Sequence, residues 1–155
     1  MVALMGDLKP PRVFAGERET LMALLQYQRE SLVRKFDGVG EDDAQQSPVA
    51  SGTSLLWLAQ HVVHAEQLWV LHRFAGLPVP KADPPATVAA ALAAYRETWS
   101  RVESVVEIAD FDDPCVDADS PVNLRWVVMH LLEETARHAG HADILRELLD
   151  GATGR

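Results

Sequence analysis

The run His130-Leu-Leu-Glu-Glu-Thr-Ala-Arg-His-Ala-Gly-His141 sets three imidazoles and a carboxylate along one line of a helix-forming segment. With side chains advancing about 100° per residue, Glu134, His138 and His141 lie about 40°, 80° and 20° around the axis from His130. Val127, Leu131, Leu145, Leu148 and Leu149 fall in the same sector, so the polar stripe is expected to face the interior. Carboxylates and imidazoles taken out of water are costly unless paired or bound to a cation. The chain must therefore fold so that this stripe meets a partner. A metal site between helices is the simplest arrangement that provides one.

The rest of the chain supplies the other helices. A first runs from about Gly16 to Phe36, with Leu21, Leu24, Leu25, Gln28 and Leu32 on its buried side, and Gly38 and Gly40 end it. Glu41–Pro48 is polar and loop-like, with room for one helical turn at Glu41–Gln46. Ser51-Gly-Thr-Ser54 offers N-caps for a second helix from Leu55 to Phe74, stopped by Gly76. Leu77–Pro85 holds four prolines and reads as a semi-rigid connector. Thr87 caps a third helix to about Glu107, and Asp110–Pro121 is an acidic loop. Ser120-Pro121 then supplies a cap and a first-turn proline for the fourth helix, about Val122 to Asp150, with Gly151 as its stop. Residues 1–15, with Pro10-Pro11, form an extended lead-in. No period-two alternation competes with these segments. The reading is an all-α, four-helix bundle, with residues 1–155 as one domain.

Composition removes several function classes. Fourteen basic and 23 acidic residues leave a formal charge of −9, and no Lys/Arg run offsets it, so phosphate backbones are repelled and nucleic acid is not an expected partner. No stretch of 18 apolar residues exists to span a membrane. Cys115 is the only cysteine, which rules out an internal disulfide or a cysteine-based zinc knuckle and suits a reducing cytoplasm. The N-terminal residues lack the pattern of a secretory signal. Cys115 also lies among acidic residues, which raise a thiol pKa and make it a poor nucleophile.

A metal needs ligands from more than one helix. On the second helix, His61 shares the core-facing sector with Leu58, Ala65, Leu68, Trp69 and Trp57, while His64 sits about 60° to one side. His72 falls near the same line but roughly 16 Å further along the axis, too far to share an ion with His61. On the fourth helix, Glu134 and His138 are one turn apart, roughly 6 Å, and can converge on one ion, as can His138 and His141; His130 and His141 are too far apart to do so. The best single constellation is His61, Glu134 and His138. Two imidazoles and a carboxylate leave coordination positions open for substrate or water. His64, His130 and His141 remain as candidate catalytic residues, carrying protons or orienting the ligands. Trp57, Trp69, Trp99 and Trp126 read as packing or rim residues.

Thr53-Ser-Leu-Leu-Trp-Leu-Ala-Gln-His61-Val-Val-His64-Ala-Glu, together with Leu124 to Asp143 around His130, Glu134, His138 and His141, resembles the DinB superfamily. It is similar in particular to its DUF664 or mini-circle branch, and the likeness spans nearly the whole chain. The resemblance implies a four-helix bundle, often dimeric, with a divalent ion held by a histidine of the second helix, here His61, and a pair on the fourth, here Glu134 and His138. Glu134 stands where many members have histidine, a departure that looks like the mycothiol-dependent maleylpyruvate isomerases. His141 stands where many members have Gln.

The activity implied is a thiol S-transferase or isomerase working on a low-molecular-weight thiol, mycothiol or a similar one, and a small electrophile, with zinc or nickel as the ion. A metal-dependent hydrolase using the same three ligands, and a non-catalytic metal- or ligand-binding stress protein, are the alternatives. A homodimer is also expected. Trp126, Met129 and Ile144 on the fourth helix, and Leu56, Val63, Val70 and Phe74 on the second, form apolar faces outside the inward sectors.

Overall fold

Four long helices dominate the computed structural model, which describes residues 8–79 and 81–154. They are α1 (Glu17–Arg34), α3 (Leu55–Glu66), α4 (Val88–Ile108) and α5 (Leu124–Asp150), with a short α2 (Glu41–Gln45) between the first two. Residues 8–15 have no regular structure; the first seven residues of the expected lead-in lie outside the described part. α5 packs on α1 and on α3, and α4 packs on α3. The architecture is all-α, and no described helix is long and apolar enough to cross a membrane.

The helix starts follow local chemistry. The Ser54 side chain accepts from the Trp57 amide at 3.1 Å and Thr87 from the Ala90 amide at 3.2 Å, each satisfying one orphan donor of a first turn. The fourth long helix departs from the sequence reading. Its cap is Asn123, which accepts from the Trp126 amide at 3.1 Å, not Ser120. The Ser120 hydroxyl donates to Asp117 at 2.9 Å instead. The Cys115 amide also donates to the Val122 carbonyl at 2.9 Å, holding residues 114–123 as a tight loop that delays the helix to Leu124. Gly151 ends α5 at φ 74°, a left-handed conformation that only glycine adopts without strain.

α3 does not end at Glu66 but continues as a π-helix, Gln67–Phe74. A turn wound to i→i+5 bonds takes more residues, so each side chain advances less around the axis than in an α-helix. That change of phase turns Val70 and Phe74 into the core, where both are buried. The outer apolar face expected from an unbroken α-helix therefore does not exist on this side, since Leu56 and Val63 are buried as well. The same drift carries His72 off the line of His61 and into the groove between α3 and α4, beside His64.

The apolar interior is split in two. One cluster gathers Leu32, Leu58, Tyr95 and Ala139; the other gathers Leu25, Val70, Val102 and Leu131. Each long helix also contributes buried polar residues: Arg29, Glu66, Thr98, and Thr135 with His138. Arg29 grips Glu66 through Nε at 2.9 Å and Nη2 at 2.6 Å, with both side chains withdrawn from solvent. A two-pronged pair of this kind satisfies both carboxylate oxygens, which is the condition for keeping a charge inside a protein.

Candidate metal centre

α3 and α5 bring His61, Glu134 and His138 together, the first two half-buried and the third buried. His61 Nε2 lies 2.9 Å and His138 Nε2 3.0 Å from Glu134 Oε1. One donor atom from each residue lies within 4.8 Å of the others. The two imidazole rings meet edge to face at 4.5 Å. Without an ion, each Nε2–H donates to the same carboxylate oxygen. Burial works against the charged form of Glu134, but the hydrogen bonds from His61 and His138 outweigh it and hold the carboxyl below its usual range. Burial lowers the His138 pKa, only partly offset by Glu134. Glu134 is thus held as a carboxylate, and burial disfavours the charged form of His138; an ionised carboxylate and a neutral imidazole are the forms that bind a metal.

The wheel reading of α5 needs one correction. The buried sector is centred near Leu131, Leu124 and Ala142, all buried, about 100° or slightly more from His130. The polar stripe therefore climbs the edge of that sector and does not face straight inward. His138 is buried, Glu134 half-buried and His141 exposed, in the order of their angular distance from its centre. Leu148, in line with His130, is exposed for the same reason.

The three remaining candidate histidines separate. His141 Nδ1 lies 3.3 Å from His138 Nδ1, so it alone touches a member of the triad. His130 is one turn away, stacked on Trp126 at 4.9 Å and edge-on to Trp69 at 4.9 Å. His64 is exposed and lines the α3–α4 groove with Gln60, Gln67 and Arg101. Among the described residues neither His130 nor His64 hydrogen-bonds to the triad. Cys115 is half-buried; burial and then Asp117 push its thiol pKa up, as its acidic neighbours imply.

Trp57 is a contributor that sequence reasoning assigned to packing. Its indole stacks on the His61 ring at 4.9 Å with 12° between planes, and meets His138 edge-on at 6.3 Å. The available signal was the spacing Trp57-x3-His61, one turn apart on one face. The buried Arg29–Glu66 pair was also missed, because nothing in a single sequence distinguishes a core arginine from a surface one.

Comparison with known proteins places this geometry in context. A family model described as mycothiol-S-transferase matches residues 20–151. No curated protein matches the chain. Among solved structures, a conserved protein from Enterococcus faecalis superposes with a TM-score of 0.70, covering 88% of this chain and 99% of that one at 15% sequence identity. At that identity the likeness speaks for the fold.

Proposed function

From the mycothiol S-transferase family, to which this chain belongs, we propose a divalent-metal-dependent transferase that joins a low-molecular-weight thiol of the mycothiol type to a small carbon electrophile. The observation that carries the reading is the convergence of His61, Glu134 and His138 at a half-open edge of the bundle. Ligand bonds of about 2.0–2.2 Å put neighbouring donor atoms of one ion roughly 3 Å apart, and the contacts of 2.9 and 3.0 Å to Glu134 match that spacing. Two imidazole nitrogens and one carboxylate oxygen suit zinc or nickel and leave positions free. A divalent ion there lowers the pKa of a coordinated thiol, so that thiolate is available near neutral pH.

The protein's own groups support that chemistry in distinct ways. Trp57 fixes the plane of the His61 ring. His141 fixes His138: with Nε2 of His138 committed as a donor of electrons, its proton resides on Nδ1, which faces the Nδ1 of His141. Such outer partners orient metal-binding imidazoles and raise their basicity. His141 is also exposed, so it is the imidazole placed to exchange protons between the site and solvent. The free Cys115 and a thiol cosubstrate both fit a reducing cytoplasm.

Elemental analysis of the purified chain, followed by conjugation assays with mycothiol and a bromobimane acceptor, tests the proposal. One divalent ion per chain and thiol consumption that stops on chelation are expected. A metal-loaded protein that hydrolyses activated esters yet leaves mycothiol unconsumed would replace the transferase with a hydrolase. Retention of no metal at all would remove the site.

A further inference from the structure

The side chains around the triad define what an acceptor must look like. A thiol sulfur delivered at His61, Glu134 and His138 can bond only to a carbon within van der Waals reach, so the acceptor has to lie on the surface beside those residues. The surfaces there are flat and aromatic. Trp57, 46% exposed, lies nearly parallel to the His61 ring and packs on it with one face. One turn from Glu134, about 6 Å along α5, the His130 ring stacks on Trp126, itself 43% exposed and tilted against Trp69 at 5.1 Å. Aromatic rings therefore flank the triad at Trp57 and again one turn along α5 at His130 and Trp126, in a chain of formal charge −9.

We propose that this surface selects flat, conjugated or aromatic electrophiles of low charge, with the Trp57 indole as the face on which the reacting ring stacks. Offset stacking on an indole favours planar π systems over aliphatic chains of equal reactivity. The reaction is balanced for both acceptor types. With a quinone or enone, the thiol loses its proton, an S–C bond forms at the β-carbon, and the electron pair pushed to oxygen or the α-carbon takes a proton from solvent. With an activated aryl halide, the S–C bond forms and halide leaves with the displaced pair. Trp57 makes no bond in either case; it is a specificity-determining residue. This inference rests on the transferase reading above.

The test compares two acceptors, 1-chloro-2,4-dinitrobenzene and iodoacetamide, in wild type, Trp57→Leu and Trp126→Ala, with metal content measured on each sample. In Trp57→Leu, kcat/KM for the aromatic acceptor is expected to fall about tenfold or more, the loss of one aromatic contact of about 1.4 kcal/mol. The readout is the ratio of kcat/KM for the two acceptors on the same sample, which should fall by that factor whatever the change in metal content. Ligand-observed NMR with unreactive 2,4-dinitroaniline gives a readout apart from turnover. Binding should be seen with wild type, metal-loaded or chelated, and weaken in Trp57→Leu. Equal losses for both acceptors, or unchanged dinitroaniline binding, would overturn the proposal. So would a dimer that dissociates in these variants while selectivity is unchanged, since the face would then be a contact with a second copy. A wild type inactive with both acceptors, yet binding dinitroaniline through Trp57, would instead count against the transferase reading and leave the planar site standing.

Discussion

Replacing Arg29 by methionine separates what the buried ion pair costs from what it does. Arg29 and Glu66 are both withdrawn from solvent, and Arg29 supplies Nε and Nη2 contacts of 2.9 and 2.6 Å to the two carboxylate oxygens. Among the described residues its only other anionic contact is a looser one to Glu103 at 3.4 Å. Arg29→Met leaves the Glu66 carboxylate inside the bundle with no countercharge, a change that costs about 3–5 kcal/mol. For a chain of this size that is a melting temperature lower by about 6–20 °C. Burial already raises the Glu66 pKa despite the opposing pull of Arg29, and losing Arg29 raises it further. A carboxyl whose folded pKa exceeds its unfolded value binds more protons when folded, so its burden grows as pH rises through that window. The deficit of Arg29→Met against wild type should therefore be larger at pH 8 than at pH 5. The double variant Arg29→Met/Glu66→Leu removes both charges and should recover most of the loss or exceed wild type by about 1–4 kcal/mol. Thermal and urea unfolding followed by circular dichroism at both pH values measures this. A single-variant loss below about 1 kcal/mol, as for a surface pair, or a deficit that grows toward acid, would refute the reasoning.

Three further outcomes are expected. His138→Ala should lose bound metal while keeping the helical circular dichroism spectrum, because two apolar clusters and not the ion hold the helices together; a variant that unfolds would make the metal structural. His141→Ala should weaken metal affinity by about 10- to 100-fold with the fold unchanged, and His141→Gln should restore part of it, since an amide can still bond to the His138 ring; competition titration against a chromogenic chelator reads the difference. Static light scattering at micromolar concentration should give twice the 17.1 kDa chain mass, because Ile144 and Leu148, one turn apart, leave apolar surface exposed toward the C-terminal end of α5; a mass that stays at one chain would show that this surface needs no second copy.

Much of the site was legible because its information is periodic. The one-turn spacing of Glu134 and His138 and the inward phase of His61 both follow from a rise and a rotation per residue, and the structure brings the three together. The reading failed where the period itself changes. No residue between Gln67 and Phe74 announces an i→i+5 ladder, so Val70, His72 and Phe74 were placed by an α-helical phase that the chain abandons at Glu66. It failed again where a competing local bond wins, as at Ser120, whose hydroxyl goes to Asp117 and leaves the cap to Asn123.

The position of that change links the fold to the site. Glu66 is the last residue of α3 before the π-helix and also the partner of Arg29 in the buried ion pair. On its N-terminal side the α-helical phase holds His61 and Trp57 toward α5. On its C-terminal side the π phase buries Val70 and Phe74 while Trp69 meets Trp126 and His130. A purely α-helical continuation would advance Phe74 by about two further fifths of a turn, away from the core. The ion pair thus sits where one winding gives way to the other. His61 and Trp57 take their direction from the α-helical phase before that point and Trp69 from the π phase after it, so the Arg29–Glu66 pair stands between the two segments that meet α5.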